Sequence, residues 1–370
     1  MFKKVISLFC IACLLVLSFS GCGSEPEFDE ETFFDFSKYK STEKKDGYTY
    51  DIYDGYIEIV SYSGSDSVLK IPEEFDKIKV RSIGANAFEN NEKIRELLLP
   101  EELLRVDDSA FCNCVSLKKV TFPEDMKIIG EKAFYGDNAL EEITIPGGVV
   151  RIGCLAFSEC ENLKKVAIPE TVKDIGGACF MFTPWLDEKK DEFVTAGDGV
   201  LIAYNGNKSD VVIPDGIKTV SAFSNRYGLN SVKFPSSVER IGAMGFAYCN
   251  SLKEISLPGS VKEIGDKAFM WCQSLKKITL SDKIEKVGSF AFSDCSVLEK
   301  IDFPATLKTL GDRVFVRCAK LTDVTVRSDS VTAGDGILED TNKDVTISAK
   351  VNSPMKDYAE EYGYNFKALG

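Results

Sequence analysis

Cys249-Asn-Ser-Leu-Lys-Glu-Ile-Ser-Leu-Pro258-Gly-Ser-Val-Lys-Glu-Ile-Gly265-Asp-Lys-Ala-Phe269 is one copy of the pattern that decides the fold of this chain. Its proline recurs at a period of 23 residues, with one serine in its place, at Pro100, Pro123, Pro146, Pro169, Pro235, Pro258, Ser281 and Pro304. A period of about 20 to 50 residues is typical of a solenoid, in which short repeats stack as coils. We therefore predict a β-rich solenoid with short helical or 3₁₀ turns and a parallel β ladder through about ten coils.

Each position of the coil has a physical interpretation. The triplet before proline, Ile255-Ser-Leu257 in this copy, alternates like a short strand with one buried face. Proline ends that strand because it has no N–H. Glycine follows seven residues later in most copies, and we expect a tight bend with a positive φ there. The Ala-Phe pair that comes next predicts one continuous spine of stacked phenylalanines.

The strands also predict a charged outer surface. Positions four and two before proline should face solvent on one continuous sheet. The second of these columns is mostly small and polar and has no aromatic ring, which disfavours a carbohydrate site on this face. The first column largely alternates in charge, as cross-strand pairing favours, through Glu96, Lys119, Glu142, Lys165, Asp210, Ser231, Glu254, Lys277, Lys300 and Asp323.

Cysteines form a further column three residues after the phenylalanine position. Stacked coils lie about 5 Å apart with equivalent side chains parallel, whereas a disulfide needs Cβ atoms about 4 Å apart and angled together. We therefore favour buried, inert thiols over disulfides, and one cysteine per coil also argues against a soft-metal site. The column contains Cys114, Cys160, Cys249, Cys272, Cys295 and Cys318, while Cys112, Cys154 and Cys179 lie outside it and are expected to fill the core.

The amino-terminal segment is similar to an export signal. Lys3 and Lys4 precede an apolar run that ends at Phe19 and is short for a membrane span. Small residues then precede Cys22, as in the lipobox of a bacterial lipoprotein, although Phe19 replaces the usual leucine. We expect a lipid on the Cys22 thiol that anchors the chain to a membrane; the alternative is an ordinary thiol beyond a conventional cleavage site.

The composition argues against several classes of function. The chain has 58 acidic and 45 basic residues in 370, a formal charge of −13, which disfavours nucleic-acid binding. It has no histidine, which removes Ser-His-Asp and Cys-His nucleophiles and imidazole ligands for zinc. No other group of residues indicates an acid/base pair, so we predict neither an enzyme nor a cofactor.

The repeated pattern closely resembles the BspA-type leucine-rich repeat of bacterial surface proteins over roughly residues 50–370. The resemblance implies a leucine-rich repeat solenoid located in the cell envelope, on the extracytoplasmic face of the membrane or the cell surface. It also implies a protein partner, either a host matrix protein or a bacterial surface protein. We predict these segments: signal peptide 1–21, flexible acidic tether 22–45, N-terminal capping repeat 46–80, repeats 81–182, a stretched repeat with a helix-like segment and a hairpin 183–220, repeats 221–330 and C-terminal cap 331–370.

The regular period fails in one place. Pro169 and Pro214 are 45 residues apart, and Pro235 follows after only 21. The sequence Thr195-Ala-Gly-Asp-Gly199 in this stretch recurs from Thr332 to Gly336, and both copies are predicted to form a hairpin turn rather than a calcium site.

A candidate binding surface follows the phenylalanine column, where Met and aromatic side chains recur. Such residues are typical of the energetic centre of protein interfaces. The alternative is that the segment carrying Trp185 covers them. We expect adhesion to host or neighbouring-cell proteins; the alternatives are an envelope scaffold or stress-response lipoprotein without a host partner, and a glycan-binding module. The candidate rim contains Met181, Phe182, Tyr248, Met270 and Trp271.

Overall fold

The predicted solenoid is confirmed. The structure is a computed structural model that describes residues 34–370. It divides the chain into Met1–Asp35 and Phe36–Gly370, and the second unit contains all the repeats. Short parallel strands there pair 23 residues apart, as in the register Glu142↔Lys165.

An antiparallel cap opens this unit after a 3₁₀ helix, Phe36–Lys38. Its strands are β1 (Ser41–Lys45), β2 (Tyr48–Ile52) and β3 (Ile57–Tyr62). The prediction of a tether over residues 22–45 is wrong for its last five residues. Asp46 and Gly47 both have positive φ, so they close a two-residue hairpin between β1 and β2.

Each coil contributes one strand to each of two parallel ladders, named here by the residue type that follows the strand. The proline ladder contains β4 (Val68–Lys70), β7 (Glu96–Leu98), β9 (Lys119–Thr121), β11 (Glu142–Thr144), β13 (Lys165–Ala167), β17 (Asp210–Val212), β19 (Ser231–Lys233), β21 (Glu254–Ser256), β23 (Lys277–Thr279), β25 (Lys300–Phe303), β27 (Asp323–Val326) and β29 (Thr346–Ala349). The glycine ladder contains β6 (Ile78–Ile83), β8 (Arg105–Val106), β10 (Ile128–Ile129), β12 (Arg151–Ile152), β14 (Asp174–Ile175), β16 (Val200–Tyr204), β18 (Thr219–Val220), β20 (Arg240–Ile241), β22 (Glu263–Ile264), β24 (Lys286–Val287), β26 (Thr309–Leu310) and β28 (Thr332–Ala333). Strand β5 (Glu74–Phe75) pairs with β6.

The long sheets lie in the glycine ladder, contrary to the prediction. The proline ladder is divided into sheets of two to four strands, whereas the glycine ladder runs without a break from β6 to β14 and from β16 to β28. Each proline-ladder strand is short, and a proline without an N–H usually lies within two residues of its end, which limits its hydrogen bonding. The predicted charge pairing across this ladder is nevertheless present, as Lys119 lies 3.0 Å from Glu96 and Lys300 lies 3.0 Å from Asp323.

The glycine that follows most glycine-ladder strands is required for close approach, not for a positive φ. A Cβ on Gly153 would lie 2.5 Å from the backbone of the preceding coil, and one on Gly265 would lie 2.6 Å from the backbone N of Ala243. The left-handed conformation occurs two residues later, for example at Leu155 and Lys267. The expected bend is therefore present, but its strained residue is not the glycine.

The phenylalanine spine is two stacks rather than one. The first contains Phe88, Phe111, Phe134, Phe157 and Phe180, and the second contains Phe223, Phe246, Phe269, Phe292 and Phe315, with ring centroids 4.8–5.6 Å apart. Trp185 on the short helix α1 (Pro184–Asp187) covers the end of the first stack, 4.8 Å from Phe180. The stretched repeat therefore ends one stack before the next begins.

Strand β16 separates two hydrophobic cores. Successive side chains of a strand point to opposite faces, so Val200 and Ile202 pack in the first core and Leu201 in the second. Tyr204, at the end of the strand, also packs in the second core. Strand β15 (Phe193–Ala196) forms the predicted hairpin with β16, and the two begin a new sheet after β14. We call residues 36–192 the N-terminal half and residues 193–370 the C-terminal half.

The solenoid bends where the period fails. Val220-Ser-Ala-Phe223 lacks two of the residues present in Ile241-Gly-Ala-Met-Gly-Phe246, so this coil has a shortened corner after its glycine-ladder strand. The corners on either side of it consequently meet, and the N–H of Gly177 donates to the carbonyl of Ala243 at 2.7 Å. Corner loops of the two halves therefore face each other along the inside of the bend.

The far end of the chain closes the second core. Helix α2 (Pro354–Tyr362) buries Met355, Tyr358 and Ala359, and ends at Gly363 in the left-handed conformation. Strand β30 (Asn365–Ala368) pairs with β29. The predicted hairpin at residues 332–336 is wrong, because Thr332–Ala333 instead continues the glycine ladder beside β26.

Candidate protein-binding rim

The candidate rim lies on a turn column that recurs in most repeats, two residues after the stacked phenylalanine or, in the last coil, after Leu338. All of its members have φ between about +50° and +70° in the left-handed region. The column contains Asn90, Asn113, Gly136, Glu159, Phe182, Asn225, Tyr248, Trp271, Asp294, Arg317 and Asp340, with values from 57° to 71° and 55° at the last.

Three members of this column are aromatic, which is unusual for the conformation. Asn, Asp and Gly tolerate a positive φ, whereas a bulky residue pays a steric cost of roughly 1–2 kcal/mol. Phe182, Tyr248 and Trp271 adopt φ of 62°, 64° and 61°. Strain of this kind persists when packing or function compensates for it.

Packing compensates for it least at Phe182, whose exposed fraction is 60%. Trp271 is 36% exposed, and Tyr248 is half-buried. Tyr248 and Trp271 stack on each other with centroids 6.2 Å apart and planes 9° apart. An exposed aromatic in a strained conformation is therefore present on each half.

The structure brings only some of the predicted rim residues into contact with one another. Tyr248 and Met270 pack against a small buried cluster of Cys154, Met244 and Ala247, and Trp271 stacks on Tyr248. Met181 and Phe182 lie instead at the end of the N-terminal half, before α1. Trp185 packs onto Phe180 and leaves Phe182 exposed, unlike the alternative in which its segment covers the rim.

Tyr227 belongs to the same surface and was missed. It is 57% exposed, lies two residues after Asn225 of the turn column, and its hydroxyl is 3.4 Å from Oδ1 of Asn225. The sequence could have indicated Tyr227 by its place in the coil that precedes the coil of Tyr248. Because that coil has 21 residues instead of 23, an alignment on the regular period does not place Tyr227 beside the other rim residues.

The cysteine column is buried and free of disulfides, as predicted. All of its thiols are buried and free, and each donates to a phenylalanine carbonyl of the preceding coil at 3.0–3.3 Å. Burial raises the pKa of Cys272 and Cys318 to about 12, so neither is a thiolate at neutral pH. Cys112, Cys154 and Cys179 are also buried and free.

Within residues 34–370, no group of three or more acidic or cysteine side chains is arranged to hold a metal ion. None of the helices in that part of the chain combines the length and apolarity of a membrane span. Cys22, the predicted lipidation site, lies outside the described residues.

The two parallel ladders, stacked phenylalanines and 23-residue register define the class as a leucine-rich repeat solenoid. A family model described as "BspA type Leucine rich repeat region" matches residues 68–188 and 208–344 with six copies, and the chain belongs to this family. A comparison with curated proteins found no match.

Several solved bacterial structures are similar to this chain. A leucine-rich repeat protein from Bacteroides ovatus is 21% identical, with coverage of 89% of this chain and 100% of that one and a TM-score of 0.33. A leucine rich cell surface protein from Faecalibacterium prausnitzii is 21% identical, with coverage of 81% and 95% and a TM-score of 0.35. The pneumococcal vaccine antigen PcpA is 18% identical, with coverage of 89% and 99% and a TM-score of 0.37.

Proposed function

We propose that this protein binds other proteins at the cell surface through its aromatic rim and thereby mediates adhesion to host or neighbouring-cell proteins. The observation that carries the proposal is the exposure of Phe182 and Trp271 in a backbone conformation that disfavours aromatic residues. Solvent exposure returns little packing energy for that strain, and a bound partner would supply it.

The location follows from the amino-terminal pattern. A signal peptide over residues 1–21 and a diacylated Cys22 would hold the solenoid outside the membrane. A formal charge of −13 keeps such a surface solvated. The repeat family supports a protein-interaction role, since stacked coils provide an extended surface for large partners. The proposed role requires no catalytic group.

Alanine substitution of the stacked pair tests the rim. We expect Tyr248→Ala with Trp271→Ala to weaken partner binding about tenfold or more, because aromatic anchors dominate interface energies. Binding is measured against matrix proteins, purified cell wall and glycan arrays. Tyr362→Ala, an exposed aromatic on α2 outside the rim, is the matched control and should bind normally.

The outcomes separate the alternatives. Protein binding that is lost in the double variant, with an unchanged melting temperature, supports the proposal. An equal loss of stability would make the pair a packing element. Binding of the wild type to glycans alone, or to cell wall alone, would replace adhesion by a glycan-binding or envelope-scaffold role.

A further inference from the structure

Five charged residues hold the inner edges of the bend together, and we call them the clasp. Nζ of Lys267 lies 2.6 Å from Oε2 of Glu131, although the two are 136 residues apart in sequence. Arg240 lies 3.4 Å from Asp174 across the bend and 2.9 Å from Glu263 in the next coil. All five side chains are less than a third exposed, so solvent weakens these ion pairs less than it weakens surface pairs.

Besides the clasp, the halves are joined at β16, whose Val200 and Ile202 pack in the first core. The N–H of Asp198 donates to the carbonyl of Val172 at 2.8 Å, and Oγ1 of Thr219 donates to the carbonyl of Lys173 at 3.1 Å. The glycine ladder stops at β14 and a new sheet starts at β15, and the proline ladder has no strand pair between β13 and β17. The halves have separate phenylalanine stacks, and the two hydrophobic cores meet only across β16. Junctions between separate cores and sheets are where a chain can move with the least disruption.

The clasp closes over an apolar contact. Cys154 and Leu155 of the N-terminal half meet Met244, Tyr248 and Met270 of the C-terminal half in the small buried cluster. Two of these residues, Tyr248 and Met270, belong to the rim. Separation of the halves would therefore expose apolar side chains on both edges at the same place.

We propose that the clasp regulates the rim: when it is closed, the N-terminal half partly covers Tyr248 and Met270, and when it is released, they become available to a partner. The inference rests on the proposed binding role of the rim. A closed clasp limits binding because Tyr248 and Met270 are already engaged with Leu155 and its neighbours. A partner that binds the open form selects it from a population in which the closed form dominates.

Charge reversal in the full chain tests this without any partner. Lys267→Glu places two carboxylates together and should open the bend, which raises the radius of gyration in solution X-ray scattering. The apolar dye anilinonaphthalene sulfonate should then bind with severalfold higher emission. The double variant Glu131→Lys with Lys267→Glu restores opposite charges and should return both measurements to the wild-type values.

The matched control is Lys308→Glu, which breaks the 2.5 Å pair of Lys308 with Glu285 between neighbouring coils of one half. It should change neither measurement. An unchanged radius and unchanged dye emission for Lys267→Glu would overturn the proposal, as would failure of the double variant to restore them. If Lys267→Glu lacks the wild-type circular dichroism spectrum, Lys267→Gln removes the attraction without adding repulsion and is judged by the same criteria.

Partner binding is measured separately. The scattering and dye measurements concern the clasp alone, so opening without any gain in binding would reject regulation and leave the binding proposal to the Tyr248 and Trp271 variants. Opening together with tighter binding supports both proposals. Loss of binding in the rim variants with no opening in the clasp variants supports the binding role only.

Discussion

The turn column shows how one backbone requirement acts on very different residues. Its conformation favours Asn, Asp and Gly, and the chain has such residues at Asn90, Asn113, Gly136 and Asn225. At Phe182 the same column has an aromatic ring whose surface is mostly exposed. The identity of that residue therefore costs stability.

Phe182→Asn should stabilise the protein by about 1 kcal/mol, because asparagine tolerates the left-handed conformation and little buried surface is lost. Urea unfolding measures the change. Tyr248→Asn is the comparison: it relieves similar strain but loses the contact with Trp271, so its gain should be smaller. A drop in stability for Phe182→Asn would show that the ring is a packing element.

Asp137 is a second exception at the residue scale, since it occupies the position that other coils fill with cysteine. Its Oδ1 accepts from the backbone N–H of Cys114 at 2.7 Å, while its buried Oδ2 has no hydrogen-bond partner. Burial raises the pKa of this carboxyl well above its usual range. Asp137 therefore binds a proton more tightly in the folded than in the unfolded chain.

The raised pKa of Asp137 makes the stability of the protein depend on pH. The contribution of Asp137 to stability is fully present below the unfolded pKa and is lost as pH rises through the folded pKa. Asp137→Cys should therefore stabilise the protein at neutral pH by about 1–3 kcal/mol and by much less below about pH 4. Urea midpoints of both proteins at the two pH values provide the measurement, and an equal gain at both would contradict the argument.

Among the elements, we attribute the bend to the shortened corner between β18 and Phe223. Each coil must match its neighbours in length to keep the stack straight. Two residues fewer on one edge bring Gly177 and Ala243 into hydrogen-bond contact. Local length, rather than a particular side chain, determines the path of the solenoid here.

Insertion of Gly-Ala after Ser221 restores the 23-residue spacing and should straighten the stack. We expect a larger radius of gyration and loss of the Glu131–Lys267 contact, detected as insensitivity of the radius to Lys267→Glu. The same insertion after Gly206, in the exposed loop that follows β16, is the control. A radius unchanged by the first insertion would show that the hairpin β15–β16, not the corner, sets the bend.

At the scale of the whole molecule, the sequence predicts the repeated coil well and the junction poorly. Leu, Ile, Phe and Cys positions are predictable because each coil buries them against an identical neighbour, so local pattern and packing agree. The two separate cores and the clasp were not predictable. Glu131 and Lys267 look like ordinary surface charges in their own coils, and only the bend brings them together.

The rim was predictable only as a set of residue types. Met and aromatic residues after the phenylalanine column indicated a surface, but their distribution over two halves depends on where the stack is interrupted. Tyr227 was missed for the same reason. The residue types of the rim are thus predictable from the local sequence, whereas their grouping in space depends on contacts between residues far apart in sequence.

The coil is predictable without the structure, because its length, its apolar positions, its buried thiols and its charged exterior follow from a period that every neighbour repeats. The role of identical residues in different surroundings depends instead on long-range contacts. Thr195-Ala-Gly-Asp-Gly199 closes a hairpin, whereas the identical residues 332–336 continue a parallel ladder. The reason is that backbone hydrogen bonds go to the strand that is available: β26 already lies beside Thr332, while at Thr195 the preceding sheet has ended and the chain pairs with itself.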